Sequence, residues 1–185
     1  MRIISGSLKG RSMNFIKNST TRPLKDSVKE NIFNILEHFQ KVKIKINSAN
    51  ILDLYSGAGS FGLECISRGA KKVTFVEHDN RAIEILKKNL THYSVLDKSE
   101  VINDTIDNYL KDCKNKFNIF FFDPPFIDKE FVKYLNIIRK NKIFLKKHII
   151  IIHRERKTND YLDKEISSLK IKQYGRSKII FAIFK

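Results

Sequence analysis

The feature that most constrains this chain is a repeated pairing of short, almost wholly apolar runs with helix-spaced segments. The apolar runs are "ANILDL" (49–54), "KVTFVE" (72–77), "EVIND" (100–104), "FNIFFFD" (117–123) and "HIIIIH" (148–153). A strand with one face in water alternates apolar and polar residues, and most of these runs do not. They read as strands covered on both faces, and the segments between them supply the cover. "SFGLECISRG" is a helix with Gly69 at its C-terminal cap, and "DNRAIEILKKNL" is a second whose Asp79 and Asn80 offer capping oxygens. Two more helices are expected near Ile106–Lys111 and Lys129–Arg139. Strictly alternating units of this kind build an α/β, mostly parallel, doubly wound sheet, whose ligands sit beyond the carboxyl ends of the strands. The tail "LKIKQYGRSKIIFAIF" adds an antiparallel hairpin around Gly175.

The start of the chain does not follow this rhythm. Met1 to Phe15 mixes short apolar runs with Gly6 and Gly10, as a small hairpin would. After a turn at Arg22-Pro23, residues Val28, Ile32, Ile35, Leu36 and Phe39 recur at helical spacing. The expected organisation is an extension over residues 1–48 and the α/β domain over 49–185.

Charge is distributed unevenly. The formal net charge is +16 over 185 residues. Residues 1–50 carry ten Lys/Arg against three Asp/Glu, residues 51–138 carry twelve against thirteen, and residues 139–185 carry fourteen against four. Cationic flanks around a neutral middle suit a polyanion, since phosphate contacts dominate sequence-independent nucleic-acid affinity. Compositional drift toward Lys, Ile and Asn is the alternative, but drift has no reason to spare the middle. No apolar run approaches the ~20 residues of a bilayer span. "MRIISGSLKG" lacks the h-region of a secretory signal. Cys65 and Cys113 stand alone, without metal-ligand spacing, and read as reduced packing residues. These features together describe a cytoplasmic protein with no membrane partner and no metal.

Function is sought at the strand ends. "DLYSGAGSFG" follows the first strand, and Gly57, Gly59 and Gly62 match GxGxxG between strand and helix. Nicotinamide and adenosine ligands share that pattern. Asp53 separates them: a carboxylate before the loop repels a pyrophosphate but holds an ammonium, such as that of S-adenosylmethionine. It also has a plainer reading, as an acid bracing the loop. Glu77 ends the second strand, where an acid accepts ribose hydroxyls. Asp104 ends the third, as an acceptor for an adenine amine or as a helix cap.

The fourth strand ends in Asp123-Pro124-Pro125-Phe126, using two of the three prolines in the chain. Two prolines fix φ and remove two N–H donors, leaving acceptors held stiffly in space. The Asp123 carboxylate and the Pro124 carbonyl can take both protons of a ring-bound –NH₂ while Phe126 stacks on the ring. The same bonds raise electron density on a nitrogen whose lone pair is otherwise delocalised.

With these motifs in place, the chain resembles the RsmD-type 16S ribosomal RNA guanine-N2 methyltransferases of the class I, Rossmann-like fold. The likeness runs through "MRIISGSLKGR", "TRPLKDSVKENIFNIL", "ILDLYSGAGSFGLECISRGA", "VEHDNRAIEILKKNL", "FFFDPPF" and "YGRSKIIF". It implies a seven-stranded, mostly parallel sheet with an antiparallel C-terminal hairpin and a small N-terminal hairpin-and-helix extension. It implies S-adenosyl-L-methionine contacts at Asp53, Tyr55, Gly57, Gly59, Glu77 and Asp104, with Asp123, Pro124, Pro125 and Phe126 at the target amine. RNA contacts are implied at Arg2, Lys9, Arg11 and Arg22, on a monomer whose partner is 16S rRNA or a small-subunit assembly particle. The fifth strand ends in "HRER" where the family is often more acidic, so His153 and Arg154 are open between substrate contact and a structural role. Competing readings are an amino-methyltransferase for DNA or another RNA, a nicotinamide-linked oxidoreductase and a non-catalytic RNA-binding shell. The last two leave the DPPF turn without a purpose.

Overall fold

The computed structural model describes residues 1–15, 24–39 and 42–185. Helix α1 (Asp26–His38) precedes the alternating part: β1 (Asn50–Leu54), α2 (Ser60–Ser67), β2 (Lys72–Glu77), α3 (Asn80–His92), β3 (Ser99–Asn103), α4 (Ile106–Asp112), β4 (Phe117–Phe122), α5 (Phe131–Lys140), β5 (Phe144–Glu155), β6 (Ile166–Tyr174) and β7 (Ser177–Phe184). The strands form one sheet in the order β3-β2-β1-β4-β5-β7-β6. Neighbours among β1 to β5 are parallel, and β7 runs antiparallel between β5 and β6. The chain winds outward from β1 in one direction and from β4 in the other. The crevice between their carboxyl ends is the topological switch point, where ligands of such sheets bind.

Both faces of the central strands are dry, as their apolar runs require. Ile51, Phe75, Ile119, Phe121, Ile149 and Ile151 face one core together with α1, α2 and α3. Leu52, Leu54, Val76, Phe120, Phe122, Ile150 and Ile152 face the other, under α4 and α5. Helix α2 closes with Gly69 at φ +91, its N–H donating to the Ile66 carbonyl while that of Ala70 donates to Cys65. This left-handed closure satisfies two terminal carbonyls and gives Gly69 the capping role its position suggested.

One strand is longer than the sequence suggests, and the expected N-terminal hairpin is held by more than its own pairing. Strand β5 begins at Phe144, five residues before the isoleucine run, because its start pairs with Phe117 across an irregularity in the ladder. The N-terminal turn closes through a single bridge, Arg2 with Ser12. Across the turn Ile3, Gly10 and Met13 donate to the carbonyls of Arg11, Ile3 and Met1, while other N–H groups go to α2: Ile4 and Ser5 donate to the Glu64 carboxylate, and Ser7 and Leu8 to the Ser67 carbonyl and hydroxyl. Ile3, Leu8 and Met13 thereby join the same core as α1 and the sheet. Lys29 sits fully buried beside Glu64, with its Nζ donating to the Arg2 carbonyl and Ser60 Oγ. The ammonium ties three segments together, because a buried charge must find partners.

Candidate active site

At the carboxyl ends of β1, β2, β4 and β5 lies a cavity of about 580 Å³. It is lined by Asp53, Tyr55, Ser56, Gly57 and Ala58 after β1, by Glu77 to Asp79 after β2, and by Asp123 to Ile127 after β4. The switch point thus brings together most of the residues singled out by sequence.

Asp53 is 1% exposed and accepts the Gly62 N–H at 3.0 Å through one oxygen. That bond braces the first turn of α2, so the loop-bracing reading holds alongside its place on the cavity wall. Burial pushes its carboxyl well above the usual range; the Gly62 N–H opposes this, and the nearby charges of Asp123 and Glu77 add to it. Glu77 anchors the glycine loop: one oxygen accepts the Gly57 N–H, the other those of His78 and Asp79, all at 2.9 Å. Tyr55, at φ +62, lies in the left-handed region and donates its hydroxyl proton to Asp128 at 2.7 Å. Gly59 takes φ +86 at the N-terminus of α2, behind the lining rather than on it. A Cβ on Gly62 would stand 2.2 Å from the Phe75 ring, so the third glycine serves close packing of helix on strand.

Asp104 is not part of the lining. Its Oδ1 accepts from the Thr105 N–H and the Asn108 side chain, bracing the start of α4.

The turn after β4 presents four acceptor groups in sequence. Asp123 Oδ1 bonds His153 Nδ1 at 2.8 Å. The Pro125 carbonyl accepts from the Asp128 N–H and Arg154 Nη1, and the Phe126 carbonyl from Arg154 Nη2. Among the described residues, no hydrogen bond engages Asp123 Oδ2 or the Pro124 carbonyl.

The basic N-terminal residues lie off the cavity wall. Arg2 is exposed beside Asp26, Lys9 is exposed, and Arg11 lies over the Tyr93 ring; Met1 and Phe15 reach the cavity instead. Arg22 falls outside the described residues.

Several lining residues escaped the sequence reading. Phe61 stacks on Phe121 at 4.0 Å between ring centroids and forms part of the floor. Ile127 is 92% exposed at the rim, and Arg176 approaches from the β6–β7 turn. The signal for Arg176 was present in "YGRS", a glycine turn carrying a cation, but only the sheet order carries that turn to the cavity. The Ser56 hydroxyl is buried without a partner in this wall.

Electrostatically the cavity is the reverse of the whole protein. Asp53, Glu77, Asp79 and Asp123 line it, against Arg176 as the one Lys or Arg among the described lining residues. Such a site favours a cationic ligand and disfavours a pyrophosphate.

Comparison with known proteins gives consistent results. The family model "Conserved hypothetical protein 95" matches residues 1–183. A Haemophilus influenzae protein named "Ribosomal RNA small subunit methyltransferase D" is 40% identical over 129 residues, 68% of this chain and 64% of that protein. The Buchnera aphidicola (subsp. Acyrthosiphon pisum) protein of the same name is 31% identical over 171 residues, 92% and 86% of the two chains. The solved structure of yhhF from Escherichia coli superposes with a TM-score of 0.83 at 27% identity, covering all of this chain and 98% of the other.

Proposed function

The chain belongs to the RsmD-type Conserved hypothetical protein 95 family, and on that premise we propose that it is an S-adenosylmethionine-dependent methyltransferase acting on the exocyclic 2-amino group of a guanine in 16S ribosomal RNA. The observation that carries the reading is the meeting of two things in one cavity: an acid-rich wall behind a glycine loop, and a rigid turn with two unengaged acceptors. The names of the relatives supply the substrate class.

The residues present fit the methyl donor. Its ammonium and sulfonium are cations, and Asp53 and Glu77 are buried acids in the cavity wall with no Lys or Arg partner among the described residues. The orphan Ser56 hydroxyl offers a further hydrogen bond. Asp53 would face the ammonium, and Glu77, which keeps acceptor capacity on the oxygen bonded to Gly57, would face ribose hydroxyls. Asp104, a proposed adenine contact, would need to turn from its bonds with Thr105 and Asn108. When bound, the donor supplies an electrophilic methyl carbon on sulfur.

The chain's own residues deal with the acceptor. Asp123 Oδ2 and the Pro124 carbonyl accept hydrogen bonds from the two N–H groups of the guanine amine. This aligns the nitrogen and favours the tetrahedral geometry of attack, and Phe126 stacks on the base. The one proton the nitrogen loses as it gains the methyl group leaves along the bond to Asp123 Oδ2. Holding both partners in line is worth up to ~7–11 kcal/mol of barrier. The base must leave its stack at a cost of a few kcal/mol; exposed Ile127 and the Arg176 cation, both lining the cavity, are suited to receive it.

The reading places the extension, residues 1–48, on the RNA side of a catalytic domain spanning 49–185, in a cytoplasmic monomer. No helix among the described residues is long and apolar enough to cross a membrane. Methyl incorporation from labelled S-adenosylmethionine is the test. Small-subunit RNA, naked or in assembly particles, is expected to take label while duplex DNA does not, and label in DNA alone would reverse the assignment.

A further inference from the structure

The carboxyl end of β5 bears on the DPPF turn from behind. Arg154 is 1% exposed, a depth at which a guanidinium needs a full set of partners. Four of its five N–H groups are engaged: Nε and Nη2 donate to the two oxygens of Asp160, each at 3.0 Å, in a bidentate fork. Nη1 donates to the Pro125 carbonyl at 3.0 Å and Nη2 to the Phe126 carbonyl at 3.2 Å. Its Cζ stands 4.6 Å from the Phe131 ring centroid, so the plane of the fork is also held by packing. One residue earlier, His153 is 5% exposed; it bonds Asp123 Oδ1, and its ring meets Phe126 edge-on at 5.7 Å.

Taken together these bonds select acceptors. Beyond the Asp123 backbone, the turn offers the two carboxylate oxygens, the stronger acceptors, and the carbonyls of Pro124, Pro125 and Phe126. His153 covers one carboxylate oxygen, and Arg154 covers the second and third carbonyls, leaving Asp123 Oδ2 and the Pro124 carbonyl. We infer that His153 and Arg154 are positioning residues that decide which two acceptors of the DPPF turn meet the target nitrogen, and so fit the site to a donor with two N–H groups on one atom. This rests on the amine-methylating reading above. Arg154 is absent from the cavity lining and acts through the turn, whereas His153 bonds Asp123 through Nδ1 and also lines the cavity, with its Nε2 buried and unpartnered.

A merely structural pair would cost stability without changing the order of the turn in the folded protein. The chain has no tryptophan, so Phe126→Trp introduces a single indole as a reporter of the turn. In an otherwise wild-type background the indole anisotropy should decay with the tumbling of the whole protein. Adding Arg154→Met should introduce a large subnanosecond component. In the Phe126 protein, Arg154→Met should lower single-turnover methyl transfer at saturating RNA and donor by about 100-fold, the loss expected from ångström-scale misplacement. His153→Leu should lower it about tenfold. His153→Asn, which can still present an N–H to Asp123, should return it to within about threefold of wild type. Donor affinity should stay within about twofold throughout. Wild-type rates in folded Arg154→Met and His153→Leu proteins, or an indole equally rigid with and without Arg154, would overturn the proposal. Where Arg154→Met does not fold, the His153 pair alone decides it: equal rates for Leu and Asn overturn it. A parent protein that methylates no RNA defeats the amine reading instead, and the indole measurement still reports on the clamp.

Discussion

At Asp53 the fold holds a carboxyl group that water does not reach, next to two other acids. Its proton is bound more tightly in the folded chain than in the unfolded one. The stability it contributes is therefore full below the ordinary aspartate value of 3.8 and is lost as pH rises through the folded value. Asp53→Asn keeps an acceptor for the Gly62 N–H and removes this dependence. The variant should melt higher than wild type by a few degrees at pH 8, with the gap closing toward pH 4. Thermal scans across that range check it, and a gap that widens toward low pH would contradict it. The same variant should bind S-adenosylmethionine at least about tenfold more weakly, from loss of a charge-assisted bond. A site strained without its ligand and relieved by a cation is a common form of stability exchanged for activity. Sequence pointed to Asp53, Glu77 and Asp123 because each ends a strand. It left His153 and Arg154 undecided because their partners, Asp123 and the carbonyls after it, lie on another strand and meet them only through the β4–β5 pairing.

At the scale of elements, the alternation of apolar runs and amphipathic helices determines the five parallel strands, and the glycine turn determines the closing hairpin. What that alternation does not carry is the docking of residues 1–15, because the donors and acceptors involved are backbone groups of one segment and side chains some 60 residues away. Gly6 shows how tight the docking is. It stands at φ +84, and a Cβ there would lie 1.9 Å from the Ser67 carbonyl oxygen. Gly6→Ala should therefore destabilise the protein by about 2–3 kcal/mol, from overpacking against backbone that cannot yield. It should also expose the Ile4 and Ser5 amides that donate to Glu64. Hydrogen exchange at those two amides is the check; unchanged protection would show that the segment tolerates the extra methyl by another path. Arg154 with Asp160 was equally invisible in sequence, since an ion pair six residues apart, between a strand end and the loop after it, has no periodicity to announce it.

For the molecule as a whole, the net charge of +16 surrounds a cavity whose wall is acidic. The outer charge is suited to hold a polyanion and the inner acids to hold a cationic donor, and both ligands meet at one turn. RNA affinity should fall steeply with salt, with log K against log salt sloping by about −3.5 to −5 for about five to seven phosphate contacts on single-stranded RNA. Donor affinity should hardly move over the same range, and parallel titrations separate the two; a flat RNA response would remove the basic flanks from the account. The most direct measurement is mass spectrometry of nucleosides from small-subunit ribosomal RNA incubated with the protein and methyl-labelled S-adenosylmethionine. The account predicts label in N2-methylguanosine with the wild-type protein, at least about 100-fold less with Asp123→Ala, and unchanged donor affinity in that variant. Label on a ring nitrogen or a ribose hydroxyl, or equal label from Asp123→Ala, would contradict it.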